Sequence, residues 1–152
     1  MKKLIIIVIA FFILNNCGYT PIYSSKKNNF YIKEISQKST SNLNSKIANN
    51  LKMFSNQNSE NIIQLEISSN KKIETIQKDK KGDPSRFQMT VSLNINILNK
   101  NNHEINKTKS FSENFNYNNN SNKFSLKQYE EEIEDTLINN IVEEFIIYLS
   151  EL

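Results

Sequence analysis

Phe87, Met89, Val91, Leu93, Ile95 and Ile97 alternate with Gln88, Thr90, Ser92, Asn94 and Asn96. Strict alternation places the apolar set on one side and the polar set on the other, which predicts an antiparallel strand with one buried and one open face. Ile63, Leu65 and Ile67 alternate in the same way ahead of it, and beyond Ser69 the pattern loosens into a more exposed ribbon. Lys81-Gly82-Asp83-Pro84 supplies the turn between these two strands. After a tight connection at 99–102, Ile105, Phe111, Phe115 and Tyr117 mark a fourth strand that returns over about 104–117 and completes a meander. A first strand is predicted at "FYIKEI", Phe30 to Ile35, from its β-rich composition.

Two segments carry the helical period instead. Leu43, Ile47, Leu51 and Phe54 form one stripe behind the cap candidates Ser39, Thr40 and Ser41, predicting a helix over about 41–55. Leu126, Tyr129, Ile133, Leu137, Ile141, Phe145, Tyr148 and Leu152 predict a second helix of about 26 residues, roughly 39 Å long. Its expected start is a capping box from Ser125 to Gln128, with Phe124 and Tyr129 as a hydrophobic staple. Glu130, Glu131, Glu132, Glu134 and Asp135 are expected to favour the positive end of the helix dipole rather than to bind metal. A sheet greasy on one side needs cover, and two amphipathic helices can supply it. The predicted fold is therefore α+β: a two-layer sandwich with a four-stranded mixed sheet, in the order β-α-β-β-β-α, and both helices on one face. The first two strands, joined through a helix, should run parallel with a right-handed crossover.

The N-terminal stretch differs from the rest. Lys2 and Lys3 precede an unbroken apolar run from Leu4 to Leu14, the outline of a signal peptide. At about 1.5 Å per residue that run spans roughly 16 Å, short of the ~30 Å of bilayer hydrocarbon. Cys17 is the single cysteine and closes the run, so it reads as the acceptor of a lipid and the first residue of the mature chain. Asn15 and Asn16 stand where lipoprotein signal peptidase favours a small residue, and the alternative is a buried or incidental thiol. An intramolecular disulfide is excluded for want of a second cysteine. The expected organisation is a leader at 1–16, a lipidated tether at 17–29 and one domain at 30–152.

Charge is unevenly spread. From Cys17 to Lys109 the net charge is +8, and from Ser110 onward it is −7, a basic body with an acidic C-terminal element. The basic residues Lys71, Lys72, Lys78, Lys80, Lys81 and Arg86 flank the Gly82 turn, diluted by Glu74, Asp79 and Asp83. Such a cluster is either a solvated face or a contact for phosphates, which basic side chains meet through charge-assisted hydrogen bonds. Export and a mature net charge near neutral argue against nucleic acid. Enzymatic chemistry has little to rest on. His103, the single histidine, falls in a predicted turn, and no zinc spacing, phosphate-binding glycine loop or nucleophile elbow occurs. No cofactor and no metal site are expected.

"CGYTPIY", Cys17 to Tyr23, resembles the start of the mature chain in the lipopolysaccharide-assembly lipoproteins LptE of the alphaproteobacterial type. Arg86, just before the alternating strand in "PSRFQMTVSLNINIL", and the closing "FNYNNNSNKFSLKQYEEEIEDTLINNIVEEFIIYLSEL" resemble that family as well. Asn16 and a last helix without the usual alanines depart from it. The resemblance implies a lipid-anchored outer-membrane protein that plugs the large LptD β-barrel, assists its assembly and helps lipopolysaccharide reach the outer leaflet. It also implies a role for Arg86; Lys78, Lys80 and Lys81 join it as phosphate-binding candidates on charge alone. The competing expectation is a structural or adaptor lipoprotein of another envelope complex, without a ligand of its own.

Overall fold

Alternating side chains become paired strands in the structure, a computed structural model that describes residues 30–98 and 105–151. Cys17, the leader, the tether, the 99–102 connection and His103 lie outside the described residues. The strands are β1 (Tyr31–Gln37), β2 (Ile62–Lys78), β3 (Pro84–Leu98) and β4 (Ile105–Asn118); the helices are α1 (Asn42–Met53) and α2 (Lys123–Ser150). They form one sheet in the order β1-β2-β3-β4, with β1 parallel to β2 and the other neighbours antiparallel. The predicted α+β sandwich with a mixed four-stranded sheet and two helices is therefore the observed fold.

The covered face follows the sequence period. Leu65, Ile67, Met89, Val91, Leu93 and Ile95 are buried almost completely against Ile47 and Leu51 of α1 and Ile138, Ile141, Val142 and Phe145 of α2. Burying such side chains contributes roughly 1.5–3 kcal/mol each, which makes this layer the main stabilising term. Phe111 meets Phe145 edge-on at 5.9 Å between ring centroids, tying β4 to α2. The buried stripe of α2 is wider than predicted, because Ile138, Val142, Ile146 and Leu149 join it, while Tyr129 stays 43% exposed.

Both helices start at a capping side chain. For α1 it is Ser41, whose oxygen accepts from the Asn44 N–H, as expected. For α2 it is not Ser125. Asn122 accepts from the N–H groups of Phe124 and Ser125, both at 3.1 Å, so the helix begins two residues before the predicted cap. Phe124 then lies within the first turn and is 71% exposed, and the predicted staple with Tyr129 does not form.

The acidic cluster is also placed differently. No acidic side chain lies in the first turn of α2, where a dipole interaction would be felt. Glu134 instead lies buried between layers and accepts from Lys46 of α1 at 2.8 Å and from Lys71 of β2. Asp135 takes a second 2.8 Å hydrogen bond from Lys46. The acidic C-terminal element thus folds back onto the basic body. Nearby, Asn44 is fully buried; its amide donates to the Ser39 carbonyl at 2.7 Å, and its oxygen accepts from the Ser69 N–H at 2.9 Å and from the Ser69 hydroxyl. That contact falls where β1 stops, since β1 pairs β2 only as far as Ile67 and β2 runs on to Lys78.

Candidate functional site

At the far end of the sheet, β2 and β3 turn through Asp79–Asp83. The Asp79 carboxylate accepts from the N–H groups of Lys81 and Asp83 at 2.8 and 2.9 Å, which commits that acid to the turn itself. Gly82 has φ of +90°, a left-handed conformation that disfavours any side chain.

The six predicted tip cations separate in space. Lys71 belongs to the covered face and binds Glu134, and Lys72 pairs with Glu74 at 2.8 Å in the body of β2. Both lie opposite mid-strand residues of β3, Val91 and Thr90, so the tip is not their place. Lys78, Lys80, Lys81 and Arg86 remain, all exposed and, among the described residues, without an ion-pair partner.

Of these four, Arg86 lines a cavity. Its Cα partner on β4 is Asn118, and from there the chain turns through Asn119, Asn120 and Ser121 into α2. The Asn119 N–H donates to the Ser85 carbonyl at 2.9 Å and its side-chain amide to the Pro84 carbonyl at 2.7 Å, which holds this loop beside Arg86. The space enclosed is about 570 Å³, with Phe115, Tyr117, Leu126 and Tyr129 on its apolar side and Asn116, Asn118 and Ser125 among its polar walls. Lys78, Lys80 and Lys81 stand on the hairpin outside this lining.

Aromatic contacts stiffen the cavity. Tyr117 packs against Phe87 at 5.6 Å and meets Tyr129 edge-on at 6.3 Å. Its hydroxyl donates to the Glu130 carboxylate at 2.7 Å. Burial, and then that bond to an anion, push the Tyr117 hydroxyl well above its ordinary value, so it is held as a neutral donor. A smaller, mainly apolar slot of about 160 Å³ opens next to it, lined by Phe115, Tyr129, Glu132, Ile133, Thr136 and Leu137. Apart from Arg86, none of these cavity residues stands out as a site in the sequence. The signal that could have found them is the pairing register, which sets Arg86 beside Asn118 and Phe87 beside Tyr117.

The open face of the sheet is the second distinctive surface. From Gln88 to Asn96 on β3, and from Thr108 to Asn116 on β4, every side chain on it is an amide or a hydroxyl. These partners bond across the strands: Thr108 to Asn96 at 2.8 Å, Ser110 to Asn94 at 2.6 Å, Ser92 with Ser112 at 3.0 Å and Gln88 to Asn116 at 3.0 Å. Among the described residues no group of His, Cys, Asp and Glu could hold a metal ion, and no helix is long and apolar enough to cross a membrane.

This two-layer fold is shared with several solved bacterial lipoproteins. The minor lipoprotein of Acinetobacter baumannii superposes with a TM-score of 0.60 at 8% identity, over 82% of this chain and 92% of its own. Rare lipoprotein B of Shewanella oneidensis gives 0.57 at 8%, over 78% and 94%, and lipoprotein B of Nitrosomonas europaea 0.56 at 14%, over 78% and 83%. At such identities the likeness establishes the fold. No curated protein matches the chain by sequence. The family model for LptE, lipopolysaccharide-assembly, matches residues 22–149, and the chain belongs to that family. LptE proteins are non-enzymatic lipopolysaccharide-assembly lipoproteins associated with the outer membrane.

Proposed function

We propose that this chain is held to the outer membrane by acyl chains on Cys17, on the periplasmic side, and works with an LptD-type β-barrel. In this reading the domain plugs the barrel, assists its assembly and helps lipopolysaccharide enter the outer leaflet, with Arg86, Lys78, Lys80 and Lys81 meeting its phosphates. Family membership supports the pathway. The observation that carries the partnership is the open sheet face, whose uncharged amides and hydroxyls already bond to one another. Such a surface can dock against a polar, hydrated barrel wall without burying an unpaired charge. Four exposed cations at one end of the same sheet give the domain a pole for an anionic ligand.

The test is affinity purification from native envelopes, with mass spectrometry of the mature N-terminus. Co-purification of an outer-membrane barrel bearing a periplasmic domain, and an acylated Cys17, are expected. A peptidoglycan or inner-membrane partner would favour the adaptor reading instead. The phosphate site is tested separately, by lipopolysaccharide binding to Arg86→Ala combined with Lys80→Ala and Lys81→Ala. Unchanged affinity would remove these residues from the proposal.

A further inference from the structure

At the end of the sheet away from Arg86, Glu34, Gln64, Leu98 and Ile105 are Cα partners in one row across all four strands. Ser36 and Glu66 stand in the next row, beside Asn96 of the open face. These six residues line a cavity of about 420 Å³, within the range of about 300–1,000 Å³ in which small ligands are held. Among the described residues, no basic side chain is part of that lining. Gln64 is only 4% exposed, and its Oε1 has no hydrogen-bond partner among the described residues. A buried acceptor of that kind calls for a donor. The Glu66 Oε2 accepts from the Asn96 amide at 2.7 Å and stands 3.4 Å from the Lys38 Nζ, which leaves its second oxygen for another partner. Glu34 is exposed and forms no ion pair among the described residues. Leu98 and the exposed Ile105 add an apolar ledge on the β4 side.

Two carboxylates, a buried amide oxygen and a hydrocarbon ledge suit a cation with several donors on its head and an apolar stem. A guanidinium presents five N–H donors in a planar fork and is weakly hydrated, whereas an ammonium has three donors on a compact, strongly hydrated charge. We propose that the cavity binds an alkylguanidinium, the side chain of an arginine presented by a polypeptide docked on the open face. Its head lies between Glu34, Gln64 and Glu66, and its methylenes lie along Leu98 and Ile105. The ligand chemistry stands on the cavity alone; the polypeptide source rests on the docking of the open face proposed above.

The experiment is a nuclear magnetic resonance titration of the purified full-length protein with N-acetylarginine methylamide, beside its neutral isostere N-acetylcitrulline methylamide, following the Gln64 side-chain amide. Saturable shifts are expected with the arginine probe alone. Glu34→Gln, at an exposed position, should weaken that probe about tenfold. Gln64→Met removes the buried acceptor at similar length; it should weaken the probe, read at neighbouring backbone amides, and leave the melting temperature in place. Equal shifts from the citrulline probe, or none from either, would overturn the site. Calcium chloride that reproduces the shifts and displaces the arginine probe would overturn the guanidinium in favour of a metal ion. In native envelopes, Glu34→Arg should cut recovery of the open-face partner. Unchanged recovery, with agmatine binding far more tightly than the arginine probe, would overturn the polypeptide source in favour of a free guanidine and leave the guanidinium site standing. No partner recovered even with the wild type would overturn the docking reading, and the polypeptide source with it, while the titration still decides the cavity.

Discussion

Replacing Lys46 and Lys71 together by Met should destabilise the domain far more than replacing Glu134 by Met, although both remove the two ion pairs of Glu134; the double variant also removes the Lys46–Asp135 pair, which is largely exposed and adds little. Glu134 keeps only 8% of its side chain exposed, whereas Lys46 and Lys71 keep 32% and 41%. Without Glu134 the two ammonium groups can turn toward water. The cost is then near that of a partly exposed pair, about 1 kcal/mol. Without both lysines a carboxylate is left between α1, α2 and the sheet with neither partner, a loss of about 3–5 kcal/mol. The triple Met variant should recover most of that loss, because an apolar trio of similar volume has no charge to bury. Urea unfolding followed by circular dichroism measures the difference. With a slope of about 1.5 kcal/mol/M, a 3 kcal/mol loss moves the midpoint by about 2 M. Equal midpoints for the Glu134→Met and double-lysine variants, or a lower one for Glu134→Met, would refute the reasoning.

Acid should expose the same pair. Burial alone would raise the Glu134 carboxyl, but hydrogen bonds from Lys46 and Lys71 outweigh it and hold the group below its ordinary value. Its contribution is therefore complete above the unfolded value, 4.5, and is lost as pH falls through the folded one; thermal melts of the wild type and Glu134→Gln should converge there. At high pH the sign reverses for Tyr117, raised above 10, so stability should fall as pH rises past 10, and less steeply in Tyr117→Phe. Asn44→Leu removes a buried amide that serves Ser39 and Ser69, leaving the Ser69 N–H and hydroxyl without it; equilibrium unfolding should register a loss of about 1–3 kcal/mol. Ser92→Glu with Ser112→Glu places two charges on the open face, and the melting temperature should move by only a few degrees while recovery of the proposed barrel partner in pull-downs drops sharply.

Much of the fold was legible because its signals are local. The alternation from Phe87 to Ile97 assigned both faces of β3, and the Ser41 cap and the Ile47/Leu51 stripe placed α1. What escaped depended on distant pairs. The carboxylate of Glu134 looks like a helix-start charge until Lys46, 88 residues earlier in sequence, is brought against it. Nearness in sequence groups Lys71 with the hairpin, yet its odd number puts it on the side of Ile67 and Ser69, a parity visible along β2. The start of α2 is ambiguous in sequence because Asn122 and Ser125 are both competent caps, and only backbone geometry chooses between them. Of the candidate site, Arg86 was visible as a cation beside a strand. The cavity around it needs β4 in register and the Asn119 loop folded over Ser85, and neither is a property of a single segment.

The length mismatch between β1 and β2 leaves its own mark on solvent accessibility. Ser69 turns its amide away from β3, toward Asn44, so Lys71, Ile73 and Thr75 turn theirs to the same unshielded flank. Deuterium uptake along this stretch should flicker with a period of two, fast at those three and slow at Asn70, Lys72 and Glu74. The same bare flank would invite a foreign chain to zip on, and the lysines strung along it keep like ribbons apart.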